Sequence, residues 1–377
     1  MKTRDFYFDV PSELIAQHPP ERRGDSQLMV LDLPGGAIQH SHVRSLGSFL
    51  PEGALLVFNN TKVVPARIHA PRRDSGGLVE FLLLEEADAT GAATGRVGPG
   101  SDGEPGPGAD AEAPQRWRCI VGKARRQRPG VEYDFPEGIT GRVVDVDGEQ
   151  RIVEFSRSLD EDYLRRHGEM PLPPYVKREA EAADSERYQT VYAEKAGSAA
   201  APTAGLHFTE DMLEELRQGG YELRFLTLHV GLGTFSPVRA EEVESHEMHA
   251  EHYHIPRETA EAVNRAKGEG RPVIAVGTTS TRALESAWRN EDRHGGDRPG
   301  GGVRPGGGST KLFIYPGYEF RAVDWLFTNF HTPGSSLVMM VSALTGRETL
   351  LSAYAEALRQ RYRFFSYGDA MLIRRLQ

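Results

Sequence analysis

The 377-residue chain lacks several features that would assign it to a particular class of protein. It has a single cysteine, Cys119, so an internal disulfide and a cysteine-based metal cage are excluded. Its longest apolar runs, such as Leu55–Phe58, fall far short of the roughly 20 residues that a membrane-spanning helix needs. The N-terminal residues contain no apolar stretch typical of a secretory signal. We therefore expect a cytoplasmic protein that has no membrane association.

An excess of positive charge is also missing. The formal net charge is −9, which argues against indiscriminate binding to nucleic acids. Between Gln115 and Val131, however, the chain has six cationic residues and no acidic one. This stretch is consistent with either a solvated pair of cationic strands or a surface that contacts phosphates. The six cations are Arg116, Arg118, Lys123, Arg125, Arg126 and Arg128.

Two stretches have too few apolar residues to form a packed core. Residues 88–115 are almost entirely small or acidic, and residues 290–310 are rich in glycine, arginine and proline. Burial of their side chains could not offset the entropy lost on ordering. We therefore predict that both are disordered insertions in surface loops, with no part in any chemistry.

The remaining patterns predict an α/β domain interrupted by an all-β domain. Short runs broken by glycine or proline, such as 78–84 and 151–155, are typical of a small antiparallel barrel or sandwich. Elsewhere strands alternate with helices, which indicates an α/β layer structure with mostly parallel strands. Helices are predicted after Thr209, over Glu258–Lys267, and after Thr279 and Ser335. The predicted division is a discontinuous α/β domain (1–66 and 158–377) and an inserted barrel-like domain (67–157).

Six of the thirteen histidines lie between residues 201 and 254, and the segments around two of them, His207 and His229, also contain glycine. Imidazole exchanges protons near neutral pH, and glycine allows the backbone to approach a ligand closely. Alternation of side chains along TLHVGLGTF places His229 on the same strand face as Gly231 and Gly233. Because glycine has no side chain, this face would form a trough with one titratable group, His229. The structural alternative is a histidine bonded beneath a neighbouring loop, with the glycines in a bulge.

Two further segments place hydroxyls at predicted helix N-termini. In APTAGLHF, Thr203 and His207 precede the helix that Thr209 caps, and in GTTS a hydroxyl-rich turn begins the next one. Backbone N–H groups at such ends favour anions. A proline–glycine turn and an ordinary capped helix are the respective alternatives.

LFTNFHTPGSS predicts an amide and an imidazole, Asn329 and His331, at the carboxyl end of a strand, where α/β sheets bind ligands. The segment SHEMHAEHYH suggests a metal site, but no single regular element aligns its four histidines. It also matches no standard zinc spacing. We therefore expect that this segment supplies acid–base or orienting groups and binds no metal.

Taken together, these strings resemble the S-adenosylmethionine:tRNA ribosyltransferase-isomerase family of queuosine biosynthesis. The resemblance extends to DFYFDVPSELIAQHP, LLVFNNTKVVPARI, MPLPPYVKRE and ERYQTVYA, and covers nearly the whole chain apart from the two insertions. It implies that S-adenosylmethionine donates its ribosyl group to tRNA carrying 7-aminomethyl-7-deazaguanine at the wobble position of the anticodon. The product would be epoxyqueuosine, with release of adenine and methionine. The family fold is an α/β domain with an inserted β-barrel, and it needs no metal or bound prosthetic group.

The resemblance also suggests roles for particular residues. Proton transfer in such a reaction is expected from His207, His229 and His331, with Glu247 or Asp324 as an orienting carboxylate. The cations of residues 116–128 are expected to contact tRNA, and the protein is expected to be a monomer. The residues predicted to bind substrate are Asn59, Thr203, Gly205, Gly231, Gly233, Thr278, Thr279, Ser280, Asn329 and Asp369.

Three other functions remain open at this point. An S-adenosylmethionine-dependent RNA methyltransferase would need a glycine-rich loop after the first strand, and LLVFNNTKVV supplies none. A non-catalytic RNA-binding protein would explain the basic stretch but not the strands that combine histidine and glycine. A metal-dependent hydrolase would need the histidine cluster to converge on one ion.

Overall fold

The computed structural model describes residues 1–88, 114–231, 238–289 and 301–376. The strands in chain order are β1 (Gln27–Leu33), β2 (Ala37–His42), β3 (Leu55–Asn59), β4 (Thr61–Val63), β5 (Arg67–Pro71), β6 (Leu78–Ala87), β7 (Gln115–Val121), β8 (Glu132–Asp134), β9 (Thr140–Asp147), β10 (Gln150–Phe155), β11 (Lys195–Ser198), β12 (Glu222–Leu228), β13 (Glu251–Ile255), β14 (Val273–Val276), β15 (Trp288–Arg289), β16 (Gly302–Val303), β17 (Gly306–Thr310), β18 (Trp325–Asn329) and β19 (Ala370–Arg375). The helices are α1 (Glu161–His167), α2 (Asp184–Arg187), α3 (Glu210–Gln218), α4 (Arg257–Gly268), α5 (Thr278–Ala287), α6 (Ser336–Thr345) and α7 (Arg347–Arg359).

A nine-stranded mixed sheet forms the larger layer, in the order β17-β13-β12-β3-β14-β18-β19-β1-β2. Its centre is parallel: β12, β3, β14 and β18 run in the same direction. On one side, β19 is antiparallel to β18, and on the other β13 is antiparallel to β12. The prediction of mostly parallel strands therefore holds for the centre of the sheet and is wrong for its flanks.

Successive residues of the central strands pack into two separate cores, because their side chains point alternately to the two faces of the sheet. Leu55 and Val57 pack on one face with side chains from α4, α5, α6 and α7. Leu56 and Phe58 pack on the other face, where α3 contributes Met212 and Leu216. Helices on both faces explain why β3 is a continuous apolar run that is buried throughout.

A second, six-stranded antiparallel sheet has the order β5-β6-β7-β10-β9-β8. A bridge between Arg72 and Tyr133 connects its two edge strands, so that the sheet is nearly closed. Its interior holds aromatic side chains such as Phe81 and Trp117, together with the single cysteine, Cys119. Burial raises the pKa of the Cys119 thiol, so we assign this cysteine to packing. The β-runs predicted at 78–84 and 151–155 are confirmed as β6 and β10.

The boundaries of α3 and α6 agree with the predicted capping residues, whereas the predicted cap of α5 is wrong, because α5 begins at Thr278 after Gly277 and has no side-chain cap. The Thr209 hydroxyl accepts a hydrogen bond from the Met212 amide at 3.1 Å and begins α3. The Ser335 hydroxyl accepts one from the Val338 amide at 3.3 Å and begins α6. Within the described ranges, no helix is long and apolar enough to cross a membrane.

The prediction of disorder over 290–310 is wrong for its second half. Residues 301–310 include β16 and β17, and β17 pairs with β13. Glycine suits this strand because a Cβ at Gly308 would lie 2.8 Å from the ring of Tyr253 on the neighbouring strand. The remainder of that stretch, 290–300, and most of the first insertion, 89–113, lie outside the described residues.

Candidate functional site

The four parallel strands end at the same edge of the nine-stranded sheet, and a cleft opens there. Its walls include the residues just after β14 and at the end of β18, together with the turn before α3. Of the predicted substrate-binding and catalytic residues, the structure brings five into the lining of this cleft: Thr203, Thr278, Thr279, Asn329 and His331. Tyr175 and Phe365 cover it from neighbouring segments, with ring centroids 4.8 Å apart.

Asn59, the last residue of β3, ties three strand ends together at the base of the site. Its Nδ2 donates to the Leu228 carbonyl at 2.9 Å and to the Thr279 hydroxyl at 3.1 Å. Its Oδ1 accepts from the amides of Leu228 at 3.0 Å and Thr61 at 3.1 Å. Both donors and both acceptor positions of the amide are therefore occupied within the protein. Asn59 therefore holds in place the chain segments that form the base of the cleft, and its amide has no group left to offer a ligand.

A buried chain of hydrogen bonds connects Thr203, Asn329 and His207. The Asn329 amide nitrogen donates to the Phe365 carbonyl at 3.2 Å, which fixes the orientation of the amide. The same nitrogen is 3.1 Å from His207 Nε2, and its oxygen accepts from the Thr203 hydroxyl at 3.1 Å. His207 Nε2 must therefore accept, which places the proton of the neutral ring on Nδ1.

Burial keeps both His207 and His331 neutral. It lowers the pKa of His207 to about 3, with smaller contributions from the nearby cations Arg363 and Arg23. Burial alone lowers the pKa of His331 to about 3. His331 Nε2 lies 2.7 Å from the Thr328 hydroxyl, although strand alternation predicts opposite faces for these two residues. The alternation fails because β18 ends at Asn329.

His229 differs from the other two histidines because it is only half-buried. It follows the last residue of β12, and its Nδ1 lies 2.8 Å from the Thr61 hydroxyl. Among the described residues, no heavy atom lies within 4 Å of the position that a Cβ on Gly231 would take. The trough predicted beside His229 is therefore open at Gly231, whereas Gly233 lies outside the described residues.

A buried ion pair behind this trough was not predicted from the sequence. Glu251 of β13 pairs with Arg282 of α5, and both side chains are at most 5 % exposed. Glu251 also accepts a hydrogen bond from the Gly231 amide at 3.2 Å. Burial lowers the pKa of Arg282 to about 10. The pair therefore links β13, α5 and the segment that follows His229.

Other predicted site residues have structural roles. The Ser280 hydroxyl, in the first turn of α5, donates at 2.9 Å to the carbonyl of Val276, the last residue of β14. A Cβ at Gly205 would collide with the hydroxyl of Tyr192, so Gly205 is required for packing. Asp369 is buried and accepts from the amides of Gln27 at 2.9 Å and Arg363 at 2.7 Å, and burial raises its pKa.

The two predicted orienting carboxylates lie away from the cleft. Glu247 is exposed on the segment before β13. Asp324 precedes β18 and therefore lies at its amino end, at the opposite edge of the sheet. There it binds Lys267 Nζ at 2.6 Å and the Val273 amide at 2.9 Å. We therefore assign neither carboxylate an orienting role in this cleft.

The histidine cluster of residues 246–254 does not form a common centre. His246 packs edge-on against Phe313 with ring centroids 5.1 Å apart, and His249 is exposed. His252 is half-buried on β13, where its carbonyl accepts from the His229 amide at 3.0 Å. Across the described part of the chain, no group of three His, Cys, Asp or Glu side chains could hold a metal ion.

Four of the six cations in residues 116–128 form an exposed basic turn, defined by Lys123, Arg125, Arg126 and Arg128. Buried groups hold the backbone of this turn. Gln127 accepts a hydrogen bond from the Tyr133 hydroxyl at 2.6 Å, and Arg151 donates to the Gln127 carbonyl at 2.6 Å. The cationic side chains are therefore presented on a fixed backbone.

Arg116 and Arg118 are placed differently from the basic turn. Arg116 binds Glu154 at 2.8 Å, and Arg118 binds Asp147 at 2.6 Å, both across the face of the six-stranded sheet. Their charges are largely compensated by these carboxylates. Of the six cations, the four on the turn are thus the better candidates for contact with phosphates.

Comparisons with known proteins agree on one family. A sequence model described as "Queuosine biosynthesis protein" matches residues 3–373. The S-adenosylmethionine:tRNA ribosyltransferase-isomerase of Treponema denticola is 46% identical over 381 residues, covering 99% of this chain and 100% of the relative. The enzyme of the same name from Clostridioides difficile is 46% identical over 377 residues, again covering 99% of this chain and 100% of the relative. The crystal structure of the S-adenosylmethionine tRNA ribosyltransferase from Thermotoga maritima superposes with a TM-score of 0.51 at 31% identity, covering 98% of this chain and 99% of that one.

Proposed function

This chain belongs to the queuosine biosynthesis protein family, and we propose that its cleft at the carboxyl edge of the sheet is where S-adenosylmethionine gives up its ribosyl group to tRNA. The chain is a transferase of tRNA modification, as the relatives that match it over their full length are. The observation that carries the assignment to this cleft is the convergence of Thr203, Thr279, Asn329 and His331 at the ends of parallel strands.

The reaction that we propose has the precursor-modified wobble nucleotide as acceptor. The amine of 7-aminomethyl-7-deazaguanine receives the ribosyl unit, which is isomerised to give epoxyqueuosine, and adenine and methionine leave. S-adenosylmethionine serves as a substrate, with no bound prosthetic group. We propose that the protein works in the cytoplasm as a monomer.

His229 is the group that we propose for proton transfer. The positive sulfonium acidifies the carbon bonded to it, so a base beside that carbon can remove a proton. His207 and His331 are poor bases at neutral pH, because burial lowers their pKa values to about 3. We propose that these two neutral rings and Asn329 orient substrate through hydrogen bonds, while half-buried His229 exchanges protons.

The basic turn is the tRNA contact that we propose on the six-stranded sheet. All six strands come from residues 67–155, and strands of the larger sheet precede and follow them in the chain. This order supports treating 67–157 as an inserted domain, with 1–66 and 158–377 as the catalytic domain. The basic turn would bind the RNA backbone while the cleft holds the modified nucleotide.

The test is incubation with S-adenosylmethionine and precursor-modified tRNA, followed by mass spectrometry of nucleosides and measurement of free adenine. We expect epoxyqueuosine and adenine in equal amounts.

The His229→Ala variant should release adenine about 10²–10⁴-fold more slowly, the usual contribution of acid–base catalysis. His254→Ala, at an exposed histidine of β13, is the matched control and should keep the wild-type rate. A methylated base in the product would instead identify a methyltransferase, and an unchanged rate for His229→Ala would refute its role.

A further inference from the structure

Three arginines close to the cleft are held in place by neutral groups. Arg23 donates to the carbonyls of Leu206 at 3.2 Å and Glu186 at 2.7 Å. Arg363 donates to the carbonyls of His18 at 3.2 Å and Tyr367 at 2.7 Å. Backbone carbonyls fix a guanidinium group without cancelling its charge.

The third arginine, Arg187, joins the same segment of chain. It donates to the carbonyls of Pro20 and of Glu21, which it reaches at 3.2 Å. Its Nε is buried and has no hydrogen-bond partner among the described residues. All three guanidinium groups therefore belong to, or bind, the segment His18–Arg23, and we call Arg23, Arg187 and Arg363 the arginine strip.

Most other arginines that the structure describes have a carboxylate within 4 Å, and a neighbour of the strip shows the contrast. Arg178 forms two hydrogen bonds with buried Asp184, at 2.6 Å and 2.8 Å. Within the residues that the structure describes, none of the three strip arginines forms an ion pair with a carboxylate within 4 Å, although the charge of Glu186 acts on Arg23 and that of Asp369 interacts with Arg363 from farther away. Burial and the nearby charge of Arg187 both lower the pKa of Arg23. The charge of Glu186 raises this pKa, but by less than Arg187 lowers it.

The strip adjoins the cleft on two sides. Arg23 binds the carbonyl of Leu206, the residue before His207, and both Arg23 and Arg363 contribute to the lowered pKa of His207. Arg363 lies two residues before Phe365, which lines the cleft. The positive charge of the arginine strip therefore lies beside residues that line the cleft or contact its lining.

We propose that the arginine strip binds backbone phosphates of the RNA on either side of the nucleotide that enters the cleft. This inference rests on the proposed function. The other substrate, S-adenosylmethionine, has a positive sulfonium, an ammonium group and a single carboxylate, so it offers an anionic partner to at most one of the three arginines. A polyanion does fit them, because arginine is the side chain best suited to binding phosphate oxygens in pairs. The strip is separate from the basic turn, which lies on the six-stranded sheet.

The experiment measures tRNA affinity across a range of KCl concentrations for the double variant Arg187→Gln/Arg363→Gln. Each lost phosphate contact lowers the slope of log affinity against log salt by about 0.7–0.9, so we expect a decrease of roughly 1.4–1.8. The KM for tRNA should rise about tenfold or more in adenine release, while the KM for S-adenosylmethionine stays within about twofold. Arg217→Gln, at an exposed arginine of α3, is the control and should change neither value.

A lysine double variant separates charge from scaffolding. Arg187→Lys/Arg363→Lys keeps both charges but loses most of the carbonyl bonds, so the proposal predicts a slope close to wild type. If the salt slope fell equally in the lysine and glutamine variants, the strip would have a purely structural role and the proposal would be overturned. An unchanged salt slope in the glutamine variant would also overturn the proposal. The binding measurement needs no turnover. Wild-type protein that binds tRNA but releases no adenine would therefore refute the proposed function, while the salt slopes would still decide the strip.

Discussion

The cleft and the basic turn use polar side chains in opposite ways. In the cleft, the amide of Asn59 and the ring of His207 are buried and hydrogen-bonded within the protein, and burial holds His207 and His331 neutral. On the basic turn, the cations are exposed and only the backbone beneath them is fixed. Buried hydrogen bonds fix geometry at a high cost if one partner is lost, whereas exposed charges act over distance and are screened by salt. The two regions should therefore respond to different perturbations.

The largest effect is expected from the buried ion pair next to the cleft. Arg282→Met should lower the free energy of unfolding by about 3–5 kcal/mol, because it leaves the Glu251 carboxylate buried without its partner. Arg73→Met, which removes the exposed ion pairs of Arg73 with Glu132 and Asp134 on the six-stranded sheet, should cost less than about 1 kcal/mol. Denaturation by guanidinium chloride measures both. Because Glu251→Met/Arg282→Met removes both charges, it should recover much of the loss, and equal effects of the two single variants would contradict the comparison.

Acid should destabilise the cleft before it affects the basic turn. The pKa values of His207 and His331 are about 3 in the folded protein, so the unfolded chain binds more protons between pH 3 and their ordinary value. Their contribution to stability is therefore complete above an ordinary pKa of about 6.5 and is lost as pH falls, by about 2 kcal/mol for each histidine at pH 5.

Unfolding measured from pH 7 to pH 4.5 checks this window. His331→Gln removes one of the two titrating groups, so its stability should fall less steeply with decreasing pH than that of the wild-type protein. His254→Gln, at an exposed position of β13, should leave the slope unchanged. Parallel pH profiles for His331→Gln and wild type would show that His331 titrates normally.

The smallest free-energy change is expected on the basic turn. Arg125→Glu/Arg126→Glu should lower tRNA affinity about tenfold at 0.15 M salt and reduce the salt slope by roughly 2, with no loss of folding stability. Reversing two exposed arginines on other surfaces, Arg217→Glu/Arg359→Glu, controls for net charge. If both double variants weakened binding equally, the basic turn would have no special part in RNA contact.

Local patterns in the sequence were sufficient to predict much of the fold. Periodicity and capping residues identified α3 and α6, and strand alternation placed Asn329 at the cleft. Strand direction could not be read from such patterns, because it depends on which distant segments pair. For that reason the antiparallel partners β19 and β13 were not predicted.

In the candidate site too, features that depend on contacts between distant segments could not be predicted from local patterns. The pair of Glu251 with Arg282 became visible only when β13 and α5 were placed together, since neither residue has a distinctive local pattern. Asp324 was named with Glu247 as a candidate orienting carboxylate on the basis of the family resemblance. A strand separates its two ends by about 3.3 Å per residue, so a carboxylate before β18 and an amide at its end lie at opposite edges.

The strand order also determines when the cleft can exist during synthesis on the ribosome. β3 emerges early, yet its neighbours in the sheet are β12 and β14, which follow after the whole six-stranded sheet. β1 can pair with β2 early, but its other edge stays unpaired for longer, because its parallel partner β19 ends at Arg375. A nascent chain therefore carries unpaired apolar strand edges until β18 and β19 emerge, and such edges are prone to aggregation. We therefore expect the yield of active protein to fall when β1 and β3 are not shielded from other chains during translation.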